Sequence, residues 1–117
     1  MKQKNEINHS YWYRELALVK ESKAGLRKLA MDINLAISNG TTHAIEGAKV
    51  LRCVWDRLDK PEYLSPFVGL ASEYDDYSFY LKYRENEDKK RLYSILKNQQ
   101  ECLSDIINYS KSLQSKF

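Results

Sequence analysis

Apolar residues in this chain recur at alternating steps of four and three, the spacing that forms one stripe along an α-helix. The first run stops before Asn39-Gly40, a pair typical of the position just past a helix C-terminus. Its one polar member, Lys23, has a stem long enough to lie along the stripe while its ammonium reaches water. The pattern predicts a single helix over residues 10–39, about 45 Å long at 1.5 Å per residue. The stripe consists of Trp12, Leu16, Val19, Lys23, Leu26, Ala30, Ile33 and Ile37.

Three further stripes of the same period predict helices over residues 42–59, 66–85 and 87–115. Thr41 or Thr42 is expected to cap the second helix. Ser65-Pro66 predicts the start of the third, because proline is favoured at the first helical position. The chain is therefore expected to be all-α, a four-helix bundle-like single domain. The stripes consist of Ala44, Ala48, Leu51, Trp55 and Leu58; of Phe67, Leu70, Ala71, Tyr74, Tyr77 and Leu81; and of Leu92, Leu96, Gln99, Leu103, Ile106, Ser110, Leu113 and Phe117.

The join between the third and fourth helices has two interpretations. Eight of the ten residues from 82 to 91 are charged, and Glu85 and Asp88 fall on the stripe itself, so no partner helix is expected to cover this stretch. We favour a turn near residues 85–88. The alternative is one continuous helix, since the period is unbroken and neither Gly nor Pro follows Gly69. Such a helix would be about 75 Å long and would need a second chain to cover it.

Length and composition fit one helical domain over residues 1–117, with residues 1–9 as a disordered N-terminal tail. Four Gly and two Pro are too few for the turns of a β-sandwich or barrel, but they suffice for a few long helices. The polar N-terminal segment lacks the apolar core of a signal peptide, and no apolar run approaches the roughly 20 residues that span a bilayer. We therefore expect a cytoplasmic protein with no membrane partner.

The sequence contains no motif for catalysis, metal binding or cofactor binding. A di-iron helical bundle needs two Glu-x-x-His motifs and two further glutamates, whereas here His43 and Glu46 are an isolated i,i+3 pair. Cys53 and Cys102 lack the spacing of a zinc or redox site, so both are expected to be reduced and buried. We therefore expect a protein that is not an enzyme and has no cofactor.

Aromatic residues are concentrated in one stretch, with seven rings between Tyr63 and Tyr83. At about 100° per residue, Phe79 and Tyr83 fall almost opposite the core stripe of the third helix, beside Asp76 and near Tyr80. A helix with apolar residues on both faces is either buried all round or covered by something else. Two interpretations stay open: an internal satellite cluster, or a protein-binding surface formed by Asp76, Phe79, Tyr80 and Tyr83.

The net charge is only +3, but residues 1–30 carry seven basic and three acidic groups, whereas residues 61–90 carry four basic and seven acidic groups. This density is below that of a dedicated nucleic-acid-binding domain. A basic edge on the first helix is nevertheless a candidate surface for RNA or DNA, because phosphates bind such groups and an aromatic ring can stack on an unpaired base. This basic edge consists of Tyr13, Arg14, Lys20, Lys23, Arg27 and Lys28.

The missing chemistry and the surplus apolar face together predict a small helical binding protein. It is expected to dock on a larger protein or nucleoprotein complex as an adaptor, inhibitor or accessory subunit, or to associate with its own copy. The alternative is a small subunit of a nucleoprotein complex that contacts nucleic acid. The abundance of Lys, Asn, Ile and Tyr fits an AT-rich gene, as found in many bacteria, phages and mobile elements.

Overall fold

The computed structural model describes residues 9–83 and 89–116 of the chain. All the regular structure within these ranges is helical, which confirms the predicted all-α fold. The disordered tail predicted at residues 1–9 lies outside the described residues, except that His9 is the first residue of a helix. The elements are α1 (His9–Val19), α2 (Lys23–Ser38), α3 (Ala44–Arg57), a short 3₁₀ helix (Glu62–Leu64), α4 (Ser65–Tyr83) and α5 (Lys89–Gln114).

The first predicted helix is in fact two helices, α1 and α2, separated by a turn. Lys20 adopts a left-handed backbone with φ of 51°, which ends α1 because that conformation cannot continue a right-handed helix. Ser22 then caps α2: its hydroxyl accepts a hydrogen bond from the Gly25 amide at 3.0 Å. The prediction of one helix over residues 10–39 was therefore wrong, and Lys23 starts α2 instead of lying in a continuous stripe.

The turn brings α1 back toward the join between α2 and α3. The Trp12 indole N–H donates to the Thr42 hydroxyl at 2.9 Å in a buried hydrogen bond, and Leu16 is buried beside it. A straight helix would have placed Trp12 about 40 Å from the end of α2. Thr42 serves as this acceptor, and His43 is the N-cap of α3, where its ring nitrogen accepts from the Ile45 amide. The prediction that a threonine caps this helix was thus wrong.

Helix ends that the sequence predicts from local signals fall where expected. α2 ends at Ser38, and Gly40 follows with φ of 82°, the left-handed conformation that glycine adopts at little steric cost. α4 begins at Ser65, immediately before Pro66. The Ser65 hydroxyl also accepts a hydrogen bond from the Trp55 indole at 3.3 Å, which ties the start of α4 to α3.

A buried polar bridge joins α2 to α5. The Ser110 hydroxyl lies 2.8 Å from the Asn34 main-chain oxygen and 2.9 Å from its side-chain oxygen, and it donates to these acceptors. The Asn34 amide in turn donates to the Ser110 carbonyl at 3.1 Å and to the Gln114 side chain at 2.9 Å. Both Asn34 and Ser110 are fully buried. Because buried polar groups are costly unless they are paired, this bridge favours one register of α5 against α2.

The helices α4 and α5 pack side by side as an antiparallel hairpin. The Gln99 side-chain amide donates to the Ser78 hydroxyl at 2.6 Å and to the Tyr74 carbonyl at 3.3 Å. One continuous helix would separate Ser78 from Gln99 by about 32 Å, so the continuous-helix interpretation was wrong. The predicted turn at residues 85–88 itself lies outside the described residues.

The hairpin extends beyond the rest of the bundle. α5 runs for 21 residues before Ser110, whereas α2 runs for only four residues after Asn34, the partner of Ser110. The start of α3 covers α4 as far as about Ser78, since Lys49 of α3 pairs with Asp75 of α4 at 2.9 Å. The radius of gyration of 15.3 Å exceeds the value of about 13 Å expected for a compact chain of this length. We call residues 79–82 and 89–98 the hairpin end.

Candidate functional site

The hairpin end carries a group of exposed apolar side chains. Phe79 on α4 is 63% exposed and Tyr93 on α5 is 72% exposed, with Tyr80 and Leu96 less exposed nearby along the two helices. Within residues 89–98 no side chain is buried. An internal satellite cluster was therefore the wrong interpretation for Phe79, which faces solvent. The Tyr83 side chain lies outside the described part of the chain.

The two large apolar residues exposed on α5, Tyr93 and Leu96, were not among the predicted site residues. Leu96 was assigned to the core stripe on its period alone, and Tyr93 lies off that stripe. The exposure of Leu96 follows from the lengths of the helices, because neither α2 nor α3 reaches this level of α5. The available signal was a mismatch in length: the first and last stripes span 26 residues each, whereas the second and third span 15. It indicates that some surface is uncovered, but not which part.

Half-buried residues support this surface from inside the hairpin. Leu81 on α4 and Leu92 and Ile95 on α5 are half-buried. The helical period places them on the same sides of their helices as Ser78 and Gln99, which meet between α4 and α5. The bonds from Gln99 to Ser78 and Tyr74 fix the register next to them. The exposed rings are therefore carried on two packed helices, a more rigid support than a loop.

Acidic side chains precede Phe79 on α4. Glu73 and Asp76 are exposed, whereas Asp75 is turned toward α3 and pairs with Lys49. The Tyr77 hydroxyl donates to the Glu73 carboxylate at 3.2 Å. Desolvation raises the pKa of the Tyr77 hydroxyl, and the Glu73 charge raises it further. Asp76 is the exposed carboxylate of α4 that is closest to Phe79 in sequence.

The cysteines lie at two different interfaces. Cys102 is buried in the α4–α5 hairpin, where burial, aided by the nearby Glu73 carboxylate, raises the pKa of its thiol to about 11. Cys53 is half-buried on α3 and interacts with Tyr13 of α1. Both thiols are free. At neutral pH the Cys102 thiol is therefore protonated and a poor nucleophile.

The predicted basic edge is divided between two helices and a turn. Tyr13 and Arg14 are on α1, Lys20 is in the turn, and Arg27 and Lys28 are on α2. All five are exposed, but they do not form the straight line that one long helix would have given them. Burial raises the pKa of the Tyr13 hydroxyl, and the neighbouring Cys53 raises it further.

Two lysines of the basic edge are engaged by carboxylates. The Lys23 ammonium lies 2.9 Å from the Asp59 carboxylate and donates to the Arg57 carbonyl at 3.0 Å, so it ties α2 to the end of α3. Lys28 pairs with Asp32 one turn further along α2 at 3.2 Å. These contacts lower the positive charge that the edge offers to a phosphate.

His43 is committed to capping α3, as its ring nitrogen accepts the Ile45 amide at 3.3 Å. Across the described ranges, no three His, Cys, Asp or Glu side chains come close enough together to hold a metal ion. None of the helices in those ranges combines the length and the apolar character that crossing a membrane requires.

No protein-family model matches this chain, and neither curated proteins nor solved structures show a significant match to it. Its function has to be inferred from its own surface.

Proposed function

We propose that this chain is a small non-enzymatic binding protein that docks on a larger protein through the hairpin end. The exposure of Phe79 and Tyr93 beyond the reach of the other helices carries the proposal. The role that we propose is that of an adaptor, inhibitor or accessory subunit in the cytoplasm.

The chemistry of the surface supports a protein partner. Phe and Tyr are enriched in the buried centres of protein interfaces, where they dominate the binding energy. Tyrosine supplies a large apolar ring and a hydroxyl that tolerates water, so it suits a surface that is exposed before binding. Asp76 provides a charge at the rim, which favours a partner with a basic border around an apolar groove.

A site-specific cross-linking experiment tests the docking surface. The photo-reactive amino acid benzoylphenylalanine is placed at position 79, at position 93 and, as a control, at position 18. Leu18 on α1 is 72% exposed, so it matches Tyr93 in exposure but lies away from the hairpin end. We expect one protein of the native cell to be cross-linked from positions 79 and 93 and not from position 18.

Truncation of the same side chains then measures their contribution. Phe79→Ala with Tyr93→Ala should weaken binding of the cross-linked protein at least tenfold, or about 1.4 kcal/mol, because both rings would be buried in the complex. The free energy of unfolding should change by less than about 1 kcal/mol, since both side chains are mostly exposed. Leu18→Ala should leave affinity unchanged. A collapse of stability without loss of the partner would mean that the rings belong to the core, and the proposal would be wrong.

The same surface is also compatible with self-association. Light scattering or sedimentation of the purified chain separates the two cases, because a dimer through the hairpin end would become monomeric in the Phe79→Ala, Tyr93→Ala variant. Such a result would replace the larger protein by a second copy as the partner.

Contact with RNA or DNA through the basic edge has less support, because Lys23 and Lys28 already pair with carboxylates. It predicts binding that weakens steeply as salt rises, since each neutralised phosphate releases counterions. A mobility-shift assay in which binding is absent, or does not depend on salt, would exclude this alternative.

A further inference from the structure

A groove of about 340 Å³ lies at the other end of α5, away from the hairpin end. It is formed where α2, the 3₁₀ helix and the last residues of the described C-terminal segment meet. Its size is at the lower end of the range of about 300–1,000 Å³ in which small-molecule sites fall. Its lining consists of Arg27, Met31, Tyr63, Leu113 and Lys116.

The floor and walls of the groove are apolar. Leu113 is buried, whereas Met31 is 42% exposed. Tyr63 is half-buried, and its carbonyl accepts a hydrogen bond from the Tyr109 hydroxyl at 2.6 Å, which holds the 3₁₀ helix against α5. The flexible thioether of Met31 can adjust to the shape of an apolar guest.

Two cations flank this apolar surface. Arg27 and Lys116 form no salt bridge with any carboxylate of the described residues, whereas the neighbouring Lys23 and Lys28 both do. Among the described residues that line the groove, none is acidic. An arginine can bind a carboxylate through two parallel hydrogen bonds, and a lysine adds a point charge.

We propose that this groove binds a small amphiphilic carboxylate, with the head group between Arg27 and Lys116 and the apolar tail over Met31 and Leu113. The charge complementarity selects an anion, and the apolar floor selects a ligand with a hydrocarbon or aromatic body. A free small molecule fits better than a peptide, because a peptide brings amide groups that need hydrogen-bond partners, and the lining side chains are mostly apolar. This site does not depend on the hairpin end.

Titration of the full chain with decanoate, followed by amide chemical shifts in NMR and by calorimetry, tests the proposal. Decanamide is the uncharged counterpart of the probe. The variant is Arg27→Gln with Lys116→Gln, and Lys28→Gln is the matched control, since it removes one charge from the residue next to Arg27. Circular dichroism establishes that each variant is folded.

We expect saturable binding of decanoate with shifts centred on Met31, Tyr63 and Leu113. Binding should weaken at least tenfold in the Arg27, Lys116 double variant and with decanamide, because each removes the charge-assisted hydrogen bonds. Lys28→Gln should stay within twofold of the parent. Absence of saturable binding, or equal affinity of the double variant, would overturn the proposal.

Two further arms identify a different occupant. A short peptide that ends in Leu-Leu with a free carboxylate is titrated in the same way, and tighter binding than decanoate with the same charge dependence would overturn the proposal in favour of a peptide C-terminus. A variant lacking Phe117 is tested as well. Binding of decanoate only to that variant would assign the groove to the chain's own last residue, and it would also overturn the proposal.

Discussion

Replacing Ser110 by alanine should destabilise the bundle by about 2 kcal/mol, although it removes a single oxygen atom. That hydroxyl is the buried group that donates to the Asn34 side-chain oxygen at 2.9 Å. Without it, this amide oxygen is left buried without a donor, which costs about 1–3 kcal/mol. The Asn34 main-chain oxygen is less affected, because it also has its place in the helical ladder of α2. For a chain of this size, 1 kcal/mol corresponds to about 4 °C in Tm, so Tm should fall by about 8 °C.

A double-mutant cycle distinguishes this cause from a general loss of packing. Asn34→Ala removes two donated hydrogen bonds and some volume, but the Ser110 hydroxyl keeps the Asn34 main-chain oxygen as an acceptor. In the double variant the Asn34 side-chain oxygen is absent, so it is no longer a buried acceptor without a donor. The double variant should therefore be more stable than the sum of the two single effects implies, by about 1–2 kcal/mol.

Urea denaturation followed by circular dichroism at the helical band gives the free energy of unfolding for each variant. Ser104→Ala on the exposed side of α5 is the control and should change stability by less than about 0.5 kcal/mol. A loss below about 0.5 kcal/mol for Ser110→Ala, or strict additivity in the cycle, would refute the assignment of the bridge as a buried and fully paired network.

Three further predictions concern other parts of the bundle. Gly47→Ala should destabilise the fold, because the new methyl carbon would lie 2.6 Å from an isoleucine of α2; the packing cost of about 1–3 kcal/mol is offset in part by about 1 kcal/mol of helix propensity. Gly69→Ala places its methyl carbon with no atom within 4 Å and should stabilise the fold by up to about 1 kcal/mol. Equal effects of the two substitutions in urea denaturation would contradict this. The pKa of the Cys102 thiol is raised to about 11 in the folded state, so the unfolded chain loses this proton at lower pH than the fold does. As pH rises from about 9 to about 11, the fold should therefore lose stability relative to a Cys102→Ala variant. Parallel profiles of unfolding free energy against pH for the two proteins would contradict this. A hydrogen bond from Lys23, together with the lysine's charge, lowers the pKa of Asp59. The stabilisation linked to this carboxylate is therefore present near neutral pH and lost as pH falls through the lowered pKa. An NMR titration should show a higher pKa of Asp59 in Lys23→Met, and an unchanged pKa would contradict the pairing.

The all-α fold and several helix ends could be predicted because they depend on neighbours in sequence. The glycine after α2 and the Ser65-Pro66 start of α4 are such local signals, and the buried stripes follow from the helical period. The turn at residues 20–22 could not be predicted in this way, because the four-three spacing continues through it. Ser22 as a cap and the polar Lys23 in the stripe were the only signals, and both are compatible with an uninterrupted helix.

The candidate sites differ in how much of them was predictable. Exposure of Phe79 follows from its angular position on α4, which the sequence contains. Exposure of Leu96, which lies on the core stripe, depends on where α3 begins relative to α4, and that register is set by tertiary contacts such as the pair of Lys49 with Asp75. The groove near Arg27 and Lys116 combines residues 89 positions apart, so only the packing of α2 against α5 brings it together.

The turn after α1 also divides the molecule into parts that can open separately. Among the described side chains of α1, Trp12 and Leu16 are buried and Val19 is half-buried against the core, while the Trp12 indole bonds to Thr42 and Tyr13 interacts with Cys53. Burial of Trp12 and Leu16 contributes about 3–6 kcal/mol, and the other contacts of α1 are with half-buried or exposed side chains, so α1 should detach in local openings while the remaining helices stay folded. Its amide protons should then exchange with solvent faster than those of α3, and Trp12 fluorescence should report the docking of α1 before global unfolding begins.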